Sequence, residues 1–370
     1  MKAGVTVHLK KEQDDSYDIV IGNGILPSLG HELSKRRIGS RYAVITDTRV
    51  ARLWAKPVLS SLRKERLAAR YVTFQGREAS KNLAAVSLLL EKLSWLGLDR
   101  SSCVIALGGG VVGDVAGFVA ATYMRGIPLV QVPTTLLAMA DSSVGGKTGV
   151  DLHAGKNLAG AFHQPRLVFI DVCVLSTLPK KELRSGMAEV IKHAVIGDAK
   201  MFSLLEQEIE RVYALDMACI GKLVKRNCAI KARIVEQDER ECNLRKIANY
   251  GHTIGHALES LTAYRRYSHG EAIAIGMAAE ALIAEKQGVL SAKDRQRQNA
   301  LLRRAGFDLA FPKDIAIREV LAEIRKDKKA IDKAARFALP AGIGMMHQVK
   351  GRFGIAVDER IVRSALEESR

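Results

Sequence analysis

Residues 103–123 read CVIALGGGVVGDVAGFVAATY. Cys103 to Leu107 is apolar without a break, the pattern of a strand covered on both faces. It runs straight into Gly108, Gly109 and Gly110, and Val115 to Tyr123 follows with helical periodicity. Gly108, Gly110 and Gly113 fit G-x-G-x-x-G between a strand and a helix. Glycine there lets the backbone turn tightly and approach a pyrophosphate at the positive end of the helix. A plain strand-to-helix turn would use the same residues. The acidic residue expected about 20 positions further on is absent: that region is Val130 to Pro133. Asp47, closing an earlier strand, could hold a ribose instead. Thr134 and Thr135, after the next strand, could reach the same ligand.

Working outward, the same alternation recurs. Val5 to Leu9 and Tyr17 to Ile21 read as a hairpin. Tyr42 to Thr46, Ala69 to Phe74, Leu129 to Val132 and Val168 to Ile170 read as strands, with helices at Val50 to Arg66 and Leu83 to Leu93. Strands alternating with helices imply a parallel sheet with helices on both faces. After Pro179 the texture changes. Lys181 to Val195, Met201 to Val212, Met217 to Glu236, His252 to Leu261, Glu271 to Lys286 and Ala292 to Arg304 all carry helical periodicity, and only Arg336 to Leu339 resembles a strand. The expected architecture is α/β: an N-terminal nucleotide-binding parallel-sheet domain over residues 1–179, then a mostly α-helical domain over 180–370.

Bulk composition narrows the class. The 370 residues are 48% hydrophobic and 26% charged, as in ordinary globular protein. Met1 to Gln13 has no apolar h-region, so no export signal is expected. No run reaches the roughly 18 uncharged apolar residues of a membrane helix. Five scattered cysteines (Cys103, Cys173, Cys219, Cys228, Cys242) suit reduced thiols in a cytoplasm. The net charge of +17 is spread along the chain, with only 5% aromatics and so no stacking platform for bases. That argues against nucleic acid and for an anionic small molecule.

Two further stretches carry chemistry. Asp141-Ser-Ser-Val-Gly-Gly-Lys147-Thr148 is not a P-loop, because Asp stands where that motif starts with glycine. Bare backbone donors and one lysine would still suit a phosphate, as an irregular surface loop would suit the same residues. Asn249-Tyr-Gly-His252-Thr-Ile-Gly-His256 puts two imidazoles on one helix face. Spacing alone makes both metal ligands. His269-Gly-Glu271 follows, and Glu189 and His193 stand four apart on an earlier helix with Lys192 between them. One carboxylate and two histidines leave open positions for substrate. His193 could equally be a packed or exposed helix histidine, and Glu271 could simply cap its helix.

The ordered stretches GGGVVGDVAGFVAATYMRG (108–126), VPTTLLAMADSSVGGKTGVD, GKNLAGAFHQP, GMAEVIKH, NYGHTIGHALE and HGEAIAIGM together resemble the 3-dehydroquinate synthases, over nearly the whole chain. That family turns 3-deoxy-D-arabino-heptulosonate 7-phosphate into 3-dehydroquinate and phosphate, in the shikimate pathway. The resemblance implies catalytic NAD, one divalent metal (zinc or cobalt), a homodimer and a cytoplasmic enzyme. Carried over by motif, the metal ligands become Glu189, His252 and His269, and His256 becomes a proton-transfer residue. Lys192, Lys231, Arg245, Asn249 and Asp141 match substrate positions. Lys147 and Arg125 match phosphate contacts, Arg125 reaching across the dimer, and Lys328 or Lys329 completes the site. For NAD the matches are Asp47, Glu78, Lys81, Gly109, Gly110, Val111, Val112, Gly113, Asp114, Thr134, Thr135, Lys147, Lys156, Asn157, Val174, Leu175, Ser176, Thr177 and Glu182. One departure is local: Gly76-Arg77-Glu78 displaces the glycine that the family sets directly before Glu. Related sugar-phosphate cyclases and glycerol-dehydrogenase-like oxidoreductases are the alternatives. Lys231, Arg245, Asn249, His256 and Asp327-Lys328-Lys329 favour the shikimate reaction among them.

Overall fold

The computed structural model describes residues 14–326 and 336–370. Its first half contains β1 (Asp18–Gly22), β2 (Arg41–Asp47), β3 (Ala68–Phe74), β4 (Cys103–Gly108), β5 (Leu129–Pro133), β6 (Lys147–Leu152), β7 (Gly155–Phe162) and β8 (Leu167–Asp171). The intervening helices are α1 (Leu29–Arg36), α2 (Thr48–Val50), α3 (Lys56–Lys64), α4 (Leu83–Trp95) and α5 (Gly110–Thr122). Six strands form one parallel sheet in the order β1-β8-β5-β4-β2-β3.

Side chains alternate across this sheet with period two. Val44, Ile105, Val130 and Phe169 pack into a core shared with the helices that follow. Ala43, Ile45, Val104 and Ala106 face the other way, onto Leu89, Val115 and Val119 of α4 and α5. Both faces are covered, which is why these strands read as continuous apolar runs.

Two expectations change here. The strand expected at Tyr17 to Ile21 is β1, Asp18–Gly22, but it pairs in parallel with β8, Asp18 opposite Leu167, at the sheet edge; its expected hairpin partner, Val5 to Leu9, lies outside the described residues. The loop expected at Asp141 to Thr148 ends in β6, which pairs antiparallel with β7. This ribbon lies on α5, with Thr148 against Gly117. Its glycines left no apolar alternation to find.

The second half holds α6 (Lys180–Gly197), α7 (Ala199–Tyr213), α8 (Met217–Gln237), α9 (His252–Leu261), α10 (His269–Lys286), α11 (Ala292–Arg304), α12 (Ile317–Lys326) and α13 (Glu359–Glu368). Helix α10 is buried from Gly270 to Ala284 apart from Glu271, as a central helix apolar on nearly every face must be. Among the described residues the short strands are β9 (Arg336–Phe337), β10 (Pro340–Gly342), β11 (Met345–Met346) and β12 (Ile355–Ala356), where one strand was expected. Two- and three-residue strands carry no readable period. No helix of the described residues is long and apolar enough to cross a membrane.

Candidate active site

The chain runs from β2 outward to β3, then returns to place β4 on the other side of β2. The order therefore reverses between β2 and β4, and ligands of open α/β sheets bind outside the strand ends at such a point. Asp47 closes β2 and Gly108 closes β4. Gly109 is the N-cap of α5. A Cβ on Gly109 would lie 3.0 Å from Thr135 Cγ2, and one on Gly110 would lie 3.1 Å from Ser142 Oγ. The cradle at the helix N-terminus exists because these side chains are missing, which fits a pyrophosphate. Gly113 serves packing instead: a Cβ there would meet Gln131 Oε1 at 2.9 Å. Val112 is buried and turns its side chain onto Gly108, so its side chain is directed away from the cradle. Val111 is half-buried.

Other candidate cofactor residues converge on this crevice. Buried Lys81 Nζ lies 2.6 Å from Asp114 Oδ2 and 2.5 Å from Asn157 Oδ1. The Lys156 ammonium lies 2.9 Å from Glu78. Asp47 caps α2 through Oδ1, accepting from Arg49 N and Val50 N. The displaced glycine has its reason here: a Cβ on Gly76 would lie 2.5 Å from Asp47 Cβ. Thr134 Oγ1 is enclosed without a hydrogen-bond partner, and Thr135 Oγ1 accepts from Ala138 N. Val174, Leu175, Ser176 and Thr177 form a 3-10 turn capped by Asp171. Val174 and Leu175 are buried core side chains, so any ligand contact there falls to the backbone. Thr177 is tied to the β2 side by Trp54 Nε1 at 3.2 Å. Glu182 is exposed in the first turn of α6.

The carboxylate and imidazoles meet where α6, α9 and α10 cross. His252 Nε2 and His269 Nε2 lie 3.5 and 3.4 Å from Glu189 Oε1. The three candidate ligand atoms lie within 4.8 Å of one another. His252 Nδ1 lies 3.1 Å from the Tyr250 carbonyl, so an Nδ1–H donates there and leaves the Nε2 lone pair free. Glu189 is fully enclosed, and neither oxygen receives a hydrogen bond of good geometry, although Lys192 Nζ is 2.5 Å away. A buried carboxylate left in this state suits a cation. Burial opposes its ionisation, but Lys192 and then His252 hold the Glu189 carboxyl well below the usual range. Burial and Lys192 push His252 down, while His269, although buried, is raised to about 9 by Glu189 and Glu259.

The pair suggested by spacing does not form. The His256 side chain is 46% exposed, and its Nε2 approaches Glu259 at 4.0 Å, away from Glu189. Its ring stays 5.1 Å from that of His252, centroid to centroid. Glu271 is a cap: it forms a capping box with Ser268 and pairs with Arg184.

A charged shelf adjoins the cluster. Lys231 Nζ lies 2.5 Å from Asp141 Oδ1, and His193 Nε2 is 3.4 Å from the same oxygen. Burial raises Asp141, but Lys231 and Lys192 outweigh it and hold its carboxyl low. Lys147 pairs with Glu241, which also accepts from Asn249 Nδ2 at 2.6 Å. Buried Arg245 donates to Gly145 O at 3.0 Å. Gly145, at φ +99°, leaves room for that guanidinium: a Cβ would meet Arg245 Nη2 at 2.6 Å. Arg125 is exposed at the far end of α5, about 20 Å along the helix from the cradle. Lys328 and Lys329 lie outside the described residues.

Several polar residues here escaped sequence reasoning. Glu259 sits behind His269, Glu241 bridges Lys147 and Asn249, and buried Glu280 on α10 accepts from Gly251 N at the start of α9. His193 proves wholly buried, with Nδ1 at 2.9 Å from Asn227 Nδ2. A signal for Glu259 existed: with His252 and His256 it forms an i, i+4, i+7 stripe.

Comparison with known proteins bears on this arrangement. Residues 71–185 match the family model described as 3-dehydroquinate synthase N-terminal, and residues 186–330 the one described as 3-dehydroquinate synthase C-terminal. The chain is similar to the 3-dehydroquinate synthase of Pelobacter propionicus, with 49% identity over 331 residues, 90% of this chain and 92% of that one. Among solved structures it is similar to ValA, a 2-epi-5-epi-valiolone synthase from Streptomyces hygroscopicus with NAD+ and Zn2+ bound. That likeness has a TM-score of 0.88 at 27% identity and covers 98% of this chain and 99% of the other. A 2-deoxy-scyllo-inosose synthase complexed with carbaglucose-6-phosphate, NAD+ and Co2+ has a TM-score of 0.86 at 30% identity, covering 95% and 96%. The chain belongs to the 3-dehydroquinate synthase family.

Proposed function

We propose that the cleft between the glycine cradle and the Glu189, His252 and His269 cluster is where this chain converts 3-deoxy-D-arabino-heptulosonate 7-phosphate to 3-dehydroquinate and phosphate. The observation that carries the assignment is the enclosed Glu189 carboxylate, without a well-formed hydrogen bond and faced by two imidazole nitrogens. In this reading Glu189, His252 and His269 hold one divalent zinc or cobalt ion, and the residues around Gly109, Gly110, Lys81, Asp114 and Asn157 hold NAD. When bound, the metal would supply polarisation and orientation of substrate oxygens, and NAD would supply reversible hydride uptake with no net oxidation.

The chain's own residues do the rest. Lys147, Lys192, Lys231, Arg245 and Asn249 line one shelf and bind an anionic sugar phosphate, with charge matched to its carboxylate and phosphate. Asp141 keeps Lys231 pointed at that shelf. The exposed imidazole of His256 moves protons at the open side. Holding the flexible open-chain sugar on fixed donors favours the closing aldol step by proximity. Arg125, far from the cradle in its own chain, is assigned to the partner's phosphate site in a homodimer. We place the division of labour at residue 180, nucleotide binding before it and metal and substrate binding after it, and the enzyme in the cytoplasm.

The test is phosphate release from the heptulosonate phosphate by metal-loaded protein with NAD. Release should depend on metal, stop with chelator and return with Zn2+ or Co2+, and absorbance at the NADH wavelength should stay flat. No phosphate release by loaded protein, or steady NADH accumulation, would overturn the assignment.

Lys81→Met probes the nucleotide half. It leaves Asp114 without its cation, a loss of about 2 kcal/mol for a partly enclosed group. NAD affinity should fall at least tenfold in titration calorimetry, with bound metal unchanged. Unaltered NAD affinity would remove Lys81 from that site.

A further inference from the structure

We infer that Glu259 is a positioning residue serving both the metal ligand His269 and the proton-transfer residue His256. This rests on the metal-site reading above and adds a residue to it. Glu259 is 4% exposed at the end of α9. Its Oε1 lies 3.4 Å from His269 Nδ1, and its Oε2 4.0 Å from His256 Nε2. Lys156 Nζ approaches Oε1 at 3.7 Å from the nucleotide side, where it also pairs with Glu78. Oε2 itself is enclosed without a hydrogen bond. A carboxylate is buried at this expense only where charged or polar partners compensate it. Here two imidazoles and one ammonium surround it.

The chemistry follows from which nitrogen faces which oxygen. His269 directs Nε2 at Glu189 and Nδ1 at Glu259. Glu259 accepts from Nδ1–H, so it fixes the tautomer that leaves the Nε2 lone pair for a cation, and it makes that nitrogen more basic. Its other oxygen lies 4.0 Å from His256 Nε2, near enough for its charge to attract that ring without a hydrogen bond. The helix supplies the alignment, because residues 252, 256 and 259 share one face. Glu259 therefore joins the metal-binding and proton-moving groups through one buried charge.

The experiment uses the full chain with NAD present and measures zinc affinity by competition with a chromophoric chelator. Glu259→Gln keeps the shape and removes the charge. Its zinc Kd should rise by roughly 10- to 100-fold, the usual effect of losing such a partner. One ion per chain should still bind at saturation. At saturating zinc, kcat should fall roughly tenfold, a fraction of what a general acid–base group supplies, with KM near that of the parent. Glu259→Asp keeps the charge and should lie between the two, which gives a second reading if the glutamine variant folds poorly. Glu323→Gln removes the acceptor for Ser260 Oγ on the adjacent residue and should change neither quantity. Parent-like zinc affinity in both Glu259 variants would overturn the inference. So would a fall from two ions per chain to one, since Glu259 would then be a ligand. Retained zinc in Glu189→Gln would instead defeat the underlying site assignment.

Discussion

Glu189→Gln is expected to yield protein without bound metal and with phosphate release at least ~10³-fold slower, about 4 kcal/mol of transition-state stabilisation. The reason is that Glu189 supplies the only negative charge in its group of three, and both imidazole nitrogens are directed at its Oε1. An amide is isosteric but neutral, and a cation held by two neutral imidazoles alone is bound weakly. A second effect runs alongside. Lys192 is 1% exposed with its ammonium 2.5 Å from Glu189 Oε2. Removing one member of a buried ion pair destabilises by about 3–5 kcal/mol, because the other charge is left behind. Asp141 also attracts Lys192, which moderates the loss. The two effects separate in the double variant Glu189→Gln/Lys192→Met, which should regain most of the thermal stability and none of the metal. Metal analysis after dialysis, a melting curve and the phosphate assay on the three proteins settle the matter. Chelated parent protein should recover on adding Zn2+ or Co2+, and the variants should not. Retained metal and turnover in Glu189→Gln would remove it from the ligand set.

The reach of the sequence differs from feature to feature for physical reasons. The parallel sheet was legible because buried strands and amphipathic helices have distinct periods, and α9 and α11 begin and end where their periodicity predicts. The glycine cradle was legible as a motif, but its meaning depends on β2 and β4 being neighbours, which is a property of strand order. The choice of His269 over His256 was out of reach of spacing. Two imidazoles four apart share a helix face, yet which of them faces Glu189 depends on how α10 crosses α9, and the proposal of His269 as the second imidazole came from the family resemblance. His193 looked like an ordinary helix histidine because the turn at Ala138–Ser142 that brings Asp141 to it lies far away in sequence. Glu280 resembles a solvated acid only until its place is noticed, inside the apolar run Ala278-Ala279-Glu280-Ala281-Leu282.

That crossing of α9 and α10 is itself testable through Gly276→Ala. A Cβ on Gly276 would lie 2.0 Å from Gly251 O, 2.9 Å from Gly251 C and 3.0 Å from Gly255 N. All three are backbone atoms, so no side chain can rotate away and one helix must shift. Overpacking typically destabilises by 1–3 kcal/mol, and a backbone clash this close places the variant at about 3 kcal/mol or more. The shift would also strain the polar ties between the helices. Glu280 accepts from Gly251 N at 2.8 Å, and Tyr250 Oη donates to Met277 O at 3.0 Å. His252 opens α9 and His269 opens α10, so their separation follows the separation of the helices. Zinc affinity should therefore fall with the melting temperature, while NAD affinity, set on the sheet side, stays close to that of the parent. Gly221→Ala is the matched control: Gly221 lies within α8 with nothing within 4 Å of an added Cβ. There alanine should leave metal binding alone and raise stability by up to ~1 kcal/mol, since it only lowers the entropy lost on folding. If Gly276→Ala melts and binds zinc as the parent does, the close crossing is not what spaces the two histidines.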